Sequence, residues 1–78
     1  AAEPIERLQG LGVTPREAEV LYWLAQGKTS PEIGLILGAA CNTVKKHVTN
    51  LYQKLGVETR TAACRLALET LSDASRAG

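Results

Sequence analysis

The sequence predicts an all-α domain, a bundle of four short helices. Three observations carry that reading. Hydroxyl-and-proline start signals occur at Thr14-Pro15 and again at Thr29-Ser30-Pro31, where a side-chain oxygen can cap the first amides and proline tolerates the first helical position. Glycines then stop the segments at Gly27, Gly38 and Gly56. No alternation of apolar and polar residues persists long enough to build a sheet.

Composition bounds the rest. With 78 residues, nineteen of them Leu, Ile or Val, the chain has the apolar content of one small folded domain rather than of a disordered tail. A domain of this size buries only about 60% of its unfolded surface, which leaves no room for a catalytic cleft between subdomains. No apolar run approaches the ~18 residues of a membrane span and no export signal opens the chain, so a soluble cytoplasmic protein is expected. The sequence has no Met, which points to a piece of a longer protein or a processed N-terminus.

The first ten residues read as a leader or linker with one loose turn around Ile5 to Gln9. In the first helix Thr14 is the N-cap, Pro15 opens the first turn and Glu17 completes a capping box. Ala18, Val20, Leu21, Leu24 and Ala25 follow as apolar positions before Gly27. In the second, either Thr29 or Ser30 can cap, and Ile33, Ile36 and Leu37 form the apolar side before Gly38. A turn of three residues, Gly38-Ala39-Ala40, leads to a third helix over about 41–55 that Gly56 ends. On that helix Cys41, Val44, Val48, Leu51 and Leu55 fall within an arc of roughly 80° and face the core. Asn42, Lys45, Lys46, Thr49 and Gln53 cluster on the opposite side within about 100°, with Thr43, His47, Asn50 and Lys54 on one flank. Thr59 caps a last helix reaching about Leu71, more than half apolar around its circumference, and residues 73–78 read as a tail.

The net charge of +1 is too bland, taken alone, for a nucleic-acid binder, but it is unevenly spread. Residues 1–40 hold three basic and five acidic side chains, residues 41–78 six basic and three acidic, and no acid lies between Ile33 and Val57. A local positive face can hide in such a total, although lysines solvated on an ordinary helix surface would give the same count.

Two helices joined by a three-residue turn, the second longer and basic on its outer side, form a helix-turn-helix over about 30–49. In that motif the first helix braces the second, which inserts its side chains into the DNA major groove. Lysines suit guanine acceptors or phosphates, amides such as Asn42 suit adenine, and a Thr methyl suits the thymine methyl. Other chemistry is poorly served. Cys41 and Cys64 lack metal-site spacing and read as reduced, small apolar residues. His47 has no carboxylate or thiol near it in sequence. No nucleophile with a base, metal cluster or phosphate-cradling loop is present, so no catalytic residue, cofactor or metal is expected.

The blocks Thr14 to Leu21, Leu24-Ala25-Gln26-Gly27, Glu32-Ile33, Thr43-Val44-Lys45-Lys46-His47-Val48, Lys54-Leu55-Gly56-Val57 and Thr59-Arg60 resemble the LuxR-type helix-turn-helix domain, in order and without a gap from about Leu11 to Leu68. The resemblance implies a four-helix effector domain over about 11–72 that binds double-stranded DNA as the output module of a bacterial transcription regulator. It places Lys45, Lys46 and Thr49 at groove positions, with Asn42 beside them, and makes Ser30, Thr43, His47, Asn50 and Arg60 candidate phosphate contacts. It puts Glu17, Val20, Leu21, Ile33, Leu37, Val44, Val48, Leu51, Leu55 and Val57 at packing positions. It also implies a homodimer through the last helix, for which Cys64, Leu68 and Leu71 are the interface candidates. RNA polymerase and an N-terminal receiver or sensor domain become candidate partners. The competing reading is a helical interaction or dimerisation module that has lost DNA reading.

Three departures from the family pattern bear on stability. Ala39-Ala40 stands where Ile-Ser is usual, removing a packing side chain and a capping hydroxyl whose loss costs about 1 kcal/mol. Gly34 replaces Ala, at a cost of roughly 1 kcal/mol if that position faces solvent. Ala62 replaces a Glu, removing a second capping box and an acid near DNA. A modestly stable domain is expected.

Overall fold

A computed structural model describes the backbone of residues 4–77 and the side chains of residues 4–72. Five helices follow one another: α1 Pro4–Gln9, α2 Pro15–Ala25, α3 Ser30–Leu37, α4 Cys41–Leu55 and α5 Arg60–Ala77. The all-α bundle is therefore as expected, with one helix more than four. The segment read as a loose turn is α1, and its Leu8 is fully buried. The last helix does not stop near Leu71 but continues to Ala77, so most of the span read as a tail is helical backbone.

The caps explain where the helices begin. Thr14 Oγ1 accepts the Glu17 amide at 3.2 Å, and Glu17 Oε1 accepts the Thr14 amide at 2.9 Å. The second start repeats the arrangement and chooses between its two hydroxyls: Thr29 caps, because Glu32 three residues on returns the bond to the Thr29 amide at 2.9 Å. Ser30 is left as the first helical residue. In α5, Thr59 Oγ1 accepts the Ala62 amide at 3.1 Å.

α2 touches each of the other four helices, and its composition shows why. Ala18, Val20, Leu21 and Leu24 are all buried and span nearly half of its circumference, and the partly buried Tyr22, Trp23 and Ala25 extend the packed surface beyond that face. Leu8 of α1, Val13 before α2, Ile33 of α3, Val44 and Leu51 of α4, and Ala63 and Ala67 of α5 complete the core among the described residues. A fully buried Leu or Ile contributes about 1.5–3 kcal/mol relative to exposure, so this small set supplies the main cohesion.

The α3–α4 turn is tight. Gly38 ends α3 in the left-handed region at φ 69°, and the Gly34 carbonyl accepts the Ala39 amide at 2.9 Å. Gly34 is buried, not solvent-facing, and a Cβ added there would lie 2.6 Å from the Ala39 carbonyl oxygen. The expected helix-propensity penalty is thus the wrong account of this glycine: the turn's backbone occupies the space a methyl would need. Ala40 takes the N-cap position of α4 in extended geometry and makes no side-chain cap bond.

These two positions should respond oppositely to restoring the family residue. In urea unfolding followed by circular dichroism, Ala40→Ser should gain about 0.5–1 kcal/mol. Gly34→Ala should lose about 1–3 kcal/mol, because the methyl forces the turn to shift.

Candidate nucleic-acid interface

The second helix of the motif, α4, is held by its ends. Its start is fixed by the turn on Gly34, its middle by fully buried Val44 and Leu51, and its C-terminal turn by an ion pair to α2. Lys54 Nζ donates to Glu17 Oε1 at 2.8 Å, the oxygen that also accepts the Thr14 amide. Glu17 is only 3% exposed, whereas the Lys54 side chain reaches in from the surface at 41% exposure. Among the described residues no buried side-chain polar atom is left without a partner.

This pair agrees with the rotation that buried Val44 and Leu51 give α4. Lys45 precedes Lys54 by nine residues, about 180° round the helix at 100° per residue, so turning Lys54 toward α2 turns Lys45 away from the protein. Asn42, Lys45, Lys46 and Thr49 are all exposed, and over its 15 residues the helix spans about 22 Å. Thr49 Oγ1 donates to the Lys45 carbonyl at 3.1 Å. Among the described residues, the side chains of Asn42, Lys45 and Lys46 form no hydrogen bond or ion pair, and their donors point to solvent.

The flank is less uniform than the sequence suggests. Thr43 is exposed, and His47 and Asn50 are half-buried. Lys54, expected beside them, is diverted to Glu17. Ser30 is partly buried at the first position of α3. Arg60, at the start of α5, is exposed and its Nη2 donates to the Lys28 carbonyl at 2.7 Å, tying α5 to the loop before α3. Sequence reasoning assigned no role to Lys28 and missed both long-range bonds. Glu17 and Lys54 are 37 residues apart, and Arg60 and Lys28 are 32 apart; no local spacing signals such pairs.

The interface candidates on α5 divide. Leu68 is 50% exposed, Leu71 is half-buried against the core, and Cys64 is half-buried with its Sγ donating to the Leu24 carbonyl at 3.3 Å. Leu24, Ala25, Cys64 and Leu68 line an open groove of about 500 Å³ between the end of α2 and α5, rimmed by Arg60, Arg65 and Glu69. Among the described residues no cluster of His, Cys, Asp and Glu could hold a metal ion, and no helix is long and apolar enough to cross a membrane.

A helix-turn-helix whose second helix turns a carboxylate-free face outward is a frame for an anionic groove. Residues 12–67, most of the chain, match the family model GerE, bacterial regulatory proteins of the luxR family. The chain belongs to the luxR family. Its relatives include the transcriptional activator protein YukR of Yersinia ruckeri, 51% identical over 61 residues, which cover 77% of this chain and 27% of that protein. The transcriptional activator protein EchR of Dickeya chrysanthemi is 52% identical over 54 residues, 69% of this chain and 22% of the relative. The quorum sensing-dependent transcriptional regulator RpaR of Rhodopseudomonas palustris is 47% identical over 66 residues, 85% of this chain and 26% of the relative. The chain thus spans about a quarter of the length of these luxR-family proteins. No solved structure matches it significantly.

Glu17 gives this frame an acid limit. Burial alone raises its pKa, but the bonds from Lys54 and from Thr14, with the Lys54 charge, outweigh burial and leave it below the ordinary 4.5. A depressed folded-state pKa contributes stability above the unfolded value that is lost as pH falls through the folded one. Glu32 is lowered too, first by its backbone bond from Thr29. The melting temperature should therefore hold from pH 7 to about 5 and fall below 4.5. Glu17→Gln should melt lower at pH 7 and show a shallower acid decline, as followed by circular dichroism melts across this range.

Proposed function

We propose that the chain is the DNA-binding output module of a bacterial transcription regulator, with α4 as the recognition helix in the major groove. The observation that carries this is the outward patch of Asn42, Lys45, Lys46 and Thr49 on the second helix of the motif, exposed and facing no carboxylate. In such a groove the lysines donate to guanine acceptors or to phosphate, and Asn42 can pair with adenine. Thr43, His47, Asn50 and Ser30 line the sides where phosphates would run. The open amides at the uncapped start of α4 favour an anion there as well. Arg60 serves a phosphate only through whichever guanidinium donors its bond to Lys28 leaves free.

Transcription control fits the names of these relatives, two of them activators and one a regulator. The proposal extends to a cytoplasmic protein that is not an enzyme and whose remaining length holds a receiver or sensor domain, with RNA polymerase as the further partner. It also includes a homodimer through α5. Leu68, half exposed beside an apolar groove, supports that arrangement, and a two-fold axis would bring two recognition helices to half-sites about 10 bp apart.

Titration with fluorescent duplex DNA over a range of salt tests the reading. If Lys45 and Lys46 neutralise phosphates, each replacement by Ala should weaken binding on all sequences and flatten the log–log salt slope by about one. Unchanged affinity of the double variant on a selected site would defeat the assignment. For the dimer, Leu68→Glu should weaken binding to a two-half-site duplex by at least about tenfold while leaving half-site affinity unchanged. Equal loss on both would place Leu68 outside the interface.

A further inference from the structure

Thr49 lies on the exposed side of α4, one turn after Lys45 and beside Lys46. Its hydroxyl hydrogen is already used, in the 3.1 Å bond to the Lys45 carbonyl, a partner that threonine readily finds inside a helix. A hydroxyl has one hydrogen to give. Thr49 therefore cannot donate to guanine O6 or N7, to adenine N7 or to thymine O4 while that bond stands. The same bond holds Oγ1 against the helix backbone and leaves it only as an acceptor, with the γ-methyl as the other group that can meet a base.

The neighbours sharpen the assignment. Lys45 and Lys46 carry only donors at their ends and Asn42 carries an amide, so the Thr49 methyl is the apolar end-group of this patch. The major groove offers one apolar feature, the 5-methyl of thymine. We infer, on the reading that α4 lies in the major groove, that Thr49 is a specificity-determining residue that selects thymine by contact between its γ-methyl and the thymine 5-methyl. Lys45 and Lys46 then supply the hydrogen bonds of the same surface, and Thr49 supplies shape.

The experiment starts from duplexes enriched by the chain out of random sequence. Each thymine of the half-site is replaced in turn by deoxyuridine, which removes only the methyl, and affinity is measured for the wild-type chain, Thr49→Val and Thr49→Ser. At one thymine the deoxyuridine duplex should bind wild type about fourfold more weakly, the scale of one buried methyl group. Thr49→Val, which keeps a methyl and loses the hydroxyl, should retain both affinity and this sensitivity. Thr49→Ser should bind the thymine duplex about fourfold more weakly and lose the sensitivity. Loss on Val with retention on Ser would overturn the inference in favour of the hydroxyl accepting from a base amino group, and so would indifference to deoxyuridine at every thymine. If no sequence is enriched at all, DNA reading by the chain fails, and this inference with it.

Discussion

The carboxylate of Glu17 is the constraint on which the rest of the structure depends. It is nearly sealed from solvent, and a buried charge without partners would cost several kcal/mol. Its two partners come from different places: the Thr14 amide starts α2, and the Lys54 ammonium ends α4. One acidic oxygen thus closes the cap of the central helix and ties to it the last turn of the helix that faces outward. An exposed lysine pair of this length would contribute at most about 1 kcal/mol; here burial of one partner makes the geometry obligatory, whatever its net energy. The support function of the acidic half and the reading function of the basic half meet at this contact.

That division explains the near-neutral total charge. Three acids of the first forty residues cap helices or pair locally: Glu17 and Glu32 close their capping boxes, and Glu19 lies 3.5 Å from Arg16 on the surface. The cations of α4 split by their position round the helix. Lys54 is drawn to the support, while Lys45 and Lys46 are left with solvent as their only company among the described residues. Summing the charges hides this; locating them does not.

Much of the fold was legible because its signals are local. Thr14, Pro15 and Glu17 sit at capping distances, and the apolar stripe of α4 repeats at the helical period, so start, stop and facing followed from the residues. The outward placement of Asn42, Lys45, Lys46 and Thr49 came from the same periodicity, and family membership agreed with the resemblance those blocks carry. What escaped was non-local. Leu8 alone gives no sign that a six-residue segment is anchored in the core, since a short apolar pattern is ambiguous until a neighbour covers it. The diversion of Lys54 and the clasp of Arg60 on Lys28 needed the packed chain. Gly34 was misjudged because propensity describes a helix in isolation, and this glycine lies beneath a turn.

The Gly34 contact also bears on how this sequence can change. With the Ala39 carbonyl resting where a side chain would begin, the residue at 34 and the path of the turn over 38–40 are one unit of inheritance. Gly34 and Ala39 are then not separate departures from the family pattern but a coupled pair, whose effects will not add. A side chain at 34 without a shift of the turn meets the Ala39 backbone, so a change at 34 calls for a changed turn between the support and reading helices.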